Sequence, residues 1–315
     1  MAFEIPKVSY SGKIKEVTLG KGPKAVTVGG ETSYPFHLFE GEMPHPPRIA
    51  MEVYDVAPED WPEASLEPFK DVVNDPVAWA KKCVGSYGAE VITLQLLSTD
   101  PNGLNRSGEE AAQTAKKVAA AVDVPVIVWG SANAEKDADV LRKVAETCDG
   151  MNLVIGPVVE ANYKQVGAGA IAYKHTAIAS TPIDINLAKQ LNILLGNLGV
   201  PDGQILVDPT TGGLGYGIEY TYSVMERDRM AALTQQDERL QFPILCNMAK
   251  EVWKTKEAKT STAEAPTLGE AKKRGILMES TTAIMLLLAG ADVLVMRHPE
   301  AIKLVREMIA DFMAK

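Results

Sequence analysis

From about residue 48 onward, short apolar runs rich in β-branched residues alternate with segments whose apolar positions recur at helical spacing. The runs are RIAMEVYDV (48–56), EVITLQLLS (90–98), PVIVWGS (125–131), MNLVIGPV (151–158), AIASTPI (177–183), QILVDPT (204–210), FPILCNM (242–248) and ADVLVMRH (291–298). Near-continuous apolarity over so few residues marks a strand covered on both faces. Between the runs, Asp75-Pro76 supplies a cap and a pre-set first residue for a helix that Gly88 closes. Ser107-Gly108-Glu109-Glu110 reads as a capping box, with Ala111, Ala115, Val118 and Val122 on one face behind it. Further helices are expected at about 134–148, 162–173, 184–196, 220–234 and 278–289, and a last one from Pro299. Eight strands each followed by a helix predict an α/β protein with a closed (β/α)8 TIM barrel over residues 47–315. An open doubly wound sheet shares that alternation, and counting strands does not prove closure.

Residues 1–46 fall outside the repeat. IKEVTLG and KAVTVGG around a Gly-Pro turn predict an N-terminal β-hairpin extension. Such a hairpin either plugs one end of the barrel or offers a docking edge to another chain. The segment 254–266, KTKEAKTSTAEAP, reads as a polar, mobile surface loop after the seventh barrel strand.

Charge and cysteine content narrow the partners. The chain has 32 basic and 41 acidic residues, a net charge of −9. Nucleic acid and anionic membrane both demand a cationic face, so neither is the expected partner. The start has no apolar core of a secretory signal, and no apolar stretch approaches the ~20 residues that span a bilayer. With Cys83, Cys148 and Cys246 far apart and no CxxC, the expected location is cytoplasmic, without a disulfide framework. Three cysteines also fall short of a four-cysteine iron–sulfur or zinc site.

A barrel places its chemistry at the carboxyl ends of its strands. Those ends read Tyr54-Asp55, Ser98-Thr99-Asp100-Pro101-Asn102, Trp129-Gly130-Ser131, Gly156-Pro157, Ser180-Thr181-Pro182, Asp208 to Gly217, Asn247-Met248 and Arg297-His298. Small hydroxyl and amide groups dominate, which suits binding more than catalysis, and no catalytic residue is assigned. Lys250 is the nearest candidate for a Schiff-base lysine, His298 reads as a helix cap, and no metal-ligand cluster stands out. Asp100 and Asp208 precede prolines, where turn and capping roles are the default. The loop DPTTGGLGYG (208–217) has four glycines within six residues, beside Thr210 and Thr211. It suits close backbone approach to a ligand, or simply a tight connection, and matches neither GxGxxG nor GK[ST].

The run ILVDPTTGGLGYGIEYTYSVMERDRMAAL (205–233), the opening from SGKIKEVTLG to RIAMEVYD, the STDPNG turn and MESTTAIMLLLAGADVLVMRHPEA together carry a resemblance. Over essentially the whole chain the sequence resembles the small subunit of the corrinoid/iron–sulfur protein, the delta subunit family of acetyl-CoA decarbonylase/synthase. The resemblance implies a (β/α)8 barrel in a heterodimer with a larger subunit, which carries the 4Fe–4S cluster and a corrinoid domain. A cobamide shared with that subunit would lie at the interface, its cobalt alternating between Co(I) and a methylated Co(III) form. The methyl group would come from a methyltetrahydrofolate:corrinoid methyltransferase and leave for acetyl-CoA synthase, within anaerobic carbon fixation. No Asp-x-His-x-x-Gly motif is present, so the resemblance does not extend to a cobalt-ligating histidine here. By loop position, the expected cobamide contacts are Thr210, Thr211, Gly212 and Gly213, with Asn102, Ser131 and Asn247 beside them. Two other functions remain open. One is a pterin-binding barrel methyltransferase using Asp55, Asp100, Asn133, Asp208 and Asn247. The other is a scaffold that never touches the cofactor.

Overall fold

A computed structural model describes residues 5–314. Two short strands, β1 (Val17–Leu19) and β2 (Val26–Val28), pair antiparallel and precede the barrel. The barrel strands are β3 (Arg48–Tyr54), β4 (Val91–Gln95), β5 (Val126–Trp129), β6 (Val154–Val158), β7 (Thr176–Ser180), β8 (Ile205–Asp208), β9 (Ile244–Asn247) and β10 (Ala291–Met296). They follow one another in parallel around a closed ring, with β10 returning to pair with β3 from Val293 opposite Arg48 to Met296 opposite Met51. Closure excludes the open doubly wound alternative. The helices in chain order are α1 (Glu63–Leu66), α2 (Pro76–Tyr87), α3 (Gly108–Ala121), α4 (Ala134–Thr147), α5 (Tyr163–Tyr173) and α6 (Ile185–Leu198). They continue with α7 (Ile218–Thr234), α8 (Ala249–Trp253), α9 (Lys256–Lys259), α10 (Ala271–Ala289) and α11 (Pro299–Met313).

The punctuation read from the sequence is present in atoms. The Asp75 carboxylate accepts from Val77 and Ala78 N–H at the start of α2, and Gly88 ends it with a left-handed φ of 62°. Ser107 and Glu110 form both halves of the capping box. His298 Nδ1 accepts from Glu300 N at 3.2 Å, so His298 caps α11. Two expectations need correction. Helix α10 starts at Ala271, seven residues before 278, because Glu270 caps Lys272 and Lys273 N–H. The stretch 254–266 is not a featureless excursion: Thr255 caps the turn α9, and Arg274 holds it by donating to the carbonyls of Glu257 and Thr260.

Strand alternation divides the core in two. Outward side chains such as Met51, Leu94, Val128, Ile155 and Leu294 pack under the helices. Inward ones (among them Ala50, Val91, Ile127, Val154, Ile178, Leu206, Leu245 and Val293) fill the lumen near its amino end, together with Val17, Leu19 and Val28 of the hairpin. The hairpin is therefore a plug. Its flanks are tied to the loops that enter the strands: Lys24 pairs with Asp123 at 2.8 Å, Lys21 Nζ donates to Gly150 O at 2.7 Å, and Lys15 N donates to Gln241 O at 2.9 Å. Among the described residues, no helix is long and apolar enough to cross a membrane.

Candidate functional site at the carboxyl end of the barrel

Toward the carboxyl ends the inward positions turn polar, and they bond across the lumen. Gln95 Nε2 donates to Asn247 Oδ1 at 3.0 Å, linking β4 to the non-adjacent β9. Arg297 Nε donates to Glu52, and Arg297 Nη2 donates to Tyr54 Oη at 2.9 Å. The Arg297 guanidinium also lies 3.6 Å from the Trp61 ring centre. Both members of the Glu52–Arg297 pair are fully buried, so each depends on the other for its charge. Glu279 of α10 braces the same corner, accepting from His298 N at 3.1 Å and Trp253 Nε1 at 2.8 Å.

Above this floor lies a cavity of about 290 Å³ whose walls come from the loops after β5 to β9. Thr210, Thr211, Gly212 and Asn247 of the expected contacts line it, together with Asp137, Asn162, Thr181, Asp208 and Lys250. Asp208 accepts from Ser180 Oγ and from Thr210 N at 3.0 Å, and burial pushes its carboxyl up to about 6. Asp137 accepts from Ser131 N at 2.8 Å, Ser131 Oγ at 3.0 Å and Ala132 N at 2.9 Å. Burial raises the Asp137 carboxyl while those donors oppose the shift. Gly130 has to be glycine here, since a Cβ would come within 2.5 Å of the Asp137 carboxylate.

The two threonines play different parts. Thr211 Oγ1 donates to Asn247 O at 2.9 Å, which pins the loop to β9. Thr210 sits at φ 58°, an uncommon conformation for a β-branched residue, and its side chain has no hydrogen bond among the described residues. Gly212 is exposed with open space around it. Gly213 faces its own loop, where a Cβ would meet Gly217 O at 2.9 Å, and does not line the cavity. Ser131 is occupied with Asp137, and exposed Asn102 stands outside the cavity, its N–H bonded to Asp100. Of the carboxylates and amides weighed for a pterin, Asp55 is held by Ser98, Asp100 by its turn and Asn133 by the start of α4. Only Asp208 and Asn247 reach the cavity.

Three residues of this wall were not among the expected contacts. Thr181 is 6 % exposed and its Oγ1 has no partner. Asp137 lies inside a helix, with no spacing signal to mark it. Lys250 stood out only as an aldolase candidate, yet it points into the cavity that Asp137 and Asp208 line. The expected dominance of small hydroxyl and amide groups holds for the loop 208–217 beyond Asp208, whereas the cavity beneath also draws in Asp137, Lys250 and Glu251. Cys246, by contrast, is core, fully buried with its Sγ 3.9 Å from Met225 Sδ.

This architecture is a TIM barrel, similar in fold to the dihydropteroate synthases. The Xanthomonas albilineans dihydropteroate synthase solved with 4-aminobenzoic acid superposes with a TM-score of 0.60 at 14 % identity, over 96 % of this chain and 100 % of that one. A Yersinia pestis dihydropteroate synthase in a sulfonamide complex gives 0.58 at 14 % identity, over 86 % and 95 %. At such identities the likeness is one of fold. Sequence similarity goes further. Residues 16–312 match the family model described as CO dehydrogenase/acetyl-CoA synthase delta subunit, and the chain belongs to that family. It is 37 % identical to the acetyl-CoA decarbonylase/synthase complex subunit delta of Archaeoglobus fulgidus over 97 % of this chain and 70 % of that protein. With the Methanothermobacter thermautotrophicus subunit the figures are 36 %, 97 % and 77 %.

Proposed function

We propose that this chain is the small subunit of a cytoplasmic corrinoid/iron–sulfur methyl carrier and holds a cobamide across the mouth of its barrel. In this reading a larger subunit supplies the 4Fe–4S cluster and the opposite face of the cofactor. The observation that carries the reading is the loop 208–217. It presents the unbonded Thr210 side chain and the open Gly212 beside a buried, partnerless Thr181 hydroxyl. A buried hydroxyl without a partner is costly, and amide side chains around a corrin would satisfy it. The cavity, about 290 Å³, is too small to enclose such a macrocycle, so the ring would lie over it. Around the same end, Leu104, Tyr216 and Tyr220 are 62 %, 92 % and 62 % exposed, which suits a surface that a partner covers.

Bound cobalt would supply the nucleophile that accepts and releases a methyl group, while the protein binds and orients the ring. Thr210 and Thr181 would hydrogen-bond its periphery, and Thr211 would fix the loop through Asn247 O. The methyl group would arrive from a methyltetrahydrofolate:corrinoid methyltransferase and depart to acetyl-CoA synthase. The test is Thr210→Val, which keeps the β-branched shape and removes the hydroxyl. Cobamide retention by the heterodimer should fall by about 1–2 kcal/mol, roughly fivefold to thirtyfold. Unaltered corrin content and methyl-transfer rate would overturn the assignment.

A second reading draws on the cavity itself. Asp208 and Asn247 line it, in a fold shared with a dihydropteroate synthase solved with 7,8-dihydropteroate, and suit a pterin-sized ring. A pterin-dependent methyltransferase would turn over methyltetrahydrofolate with free cobalamin when the chain is alone, whereas a cobamide-holding subunit would not.

A further inference from the structure

We propose that a compartment beside the mouth cavity binds an anion, and that Lys250, in the wall the two share, pairs there with a phosphodiester or carboxylate borne by the ligand. The proposal rests on the reading that a cofactor occupies this end of the barrel, and specifies which part of it the chain recognises by charge.

The compartment, about 270 Å³, lies between Asp60, Trp61, Lys254, Lys259 and Arg297, and shares Lys250 and Glu251 with the main cavity. Four cations and two carboxylates line it. Lys259 pairs with Asp60 at 2.8 Å, Lys254 with Glu251, and Arg297 with Glu52 beneath the floor. Lys250 is the cation left over. It stands half-buried in the wall between the cavities, and among the described residues it makes no ion pair or side-chain hydrogen bond. The carboxylates that feel its charge, Asp208 and Asp137, are already held by hydroxyl and backbone donors of their own loops. An ammonium removed from much of its water gains from an anion that reaches it, and such charge-assisted bonds are the strong ones. Arg297, 3.6 Å from the Trp61 ring centre and paired with Glu52, adds a guanidinium already held in place on the compartment's wall.

Two sources fit this chemistry. One is the phosphodiester in the nucleotide tail of a cobamide; the other is a carboxylate on the tail of a folate-type donor. The decisive probe is inorganic phosphate, titrated against the full chain at constant ionic strength with chloride as the reference. Phosphate should raise the melting temperature of the wild type and of Lys250→Arg. It should bind Lys250→Met at least tenfold more weakly. Lys189→Met, which removes a surface cation paired with Asp237 on another part of the molecule, should respond like the wild type. An equal phosphate response in the wild type and Lys250→Met, or none in the wild type, would overturn the proposal. The source follows from two matched pairs, cobalamin against cobinamide and methyltetrahydrofolate against a methyltetrahydropterin without a tail. Lys250→Met should weaken the charged member of one pair and leave its partner unchanged. If phosphate and methyltetrahydrofolate respond while the heterodimer does not retain cobalamin, the compartment stands and the cobamide reading falls.

Discussion

Thr181 shows how much a single buried atom can say. Its Oγ1 has no partner although the residue is 6 % exposed, in a wall shared by the mouth cavity and a neighbouring apolar pocket under Leu187 and Leu191. Replacing a buried unsatisfied hydroxyl with a methyl of the same shape removes a desolvation cost. Thr181→Val should therefore stabilise the free chain by about 1 kcal/mol in urea unfolding, and at the same time weaken cobamide retention. Loss of stability would show that the hydroxyl is satisfied within the chain and has no ligand to meet. The sequence placed Thr181 at a strand end but could not show that its hydroxyl lacks a partner. Thr210 and Thr211 are adjacent and chemically identical, yet only Thr211 spends its proton on the backbone, a distinction set by the left-handed turn at Thr210.

At the scale of elements, the strands and caps were legible because each depends on neighbours within a few residues. Covered strands need apolar runs, and helix starts need Asp75, Ser107 or His298 just before the first turn. The start of α10 was missed because its first turn is polar and capped by Glu270, with no apolar periodicity to announce it. The hairpin's role depended on contacts far along the chain. Leu19 is fully buried beneath the barrel lumen, at the end opposite the candidate site. Leu19→Ala should cost about 2–4 kcal/mol of stability and leave ligand retention in the folded fraction unchanged. A small loss in chemical unfolding would mean that the hairpin is only loosely seated.

Across the whole molecule, burial sets an acid–base balance. It holds the carboxyls of Asp208 at about 6, Asp228 at about 7 and Glu279 at about 7. All three lie above their unfolded values, so the folded chain keeps protons that the unfolded chain releases, and stability falls as pH rises through the folded values. Burial also pushes His298 down to about 4 and lowers His175. Those two histidines work in the opposite sense, but only until unfolded histidine loses its proton near pH ~6.5. Above that the carboxyls prevail. The free energy of unfolding should decline from about pH 6.5 to 8, and Glu279→Gln should flatten the decline. A rise over the same interval would contradict the assignment of these buried acids as protonated in the fold.

The sequence by itself determined the barrel's repeat, the caps that separate its elements and the family, since these are written in local periodicity and in a loop motif. It also placed most of the mouth residues, because strand ends are visible wherever apolar runs stop. Only the tertiary structure decided that the ring closes, that the hairpin fills its amino end, and that Asp137, Thr181 and Lys250 share one cavity. Those outcomes depend on side chains separated by tens to hundreds of residues meeting across a lumen. Alternation along one strand fixes the face a residue lies on, but which opposing strand supplies its partner is settled by closure alone.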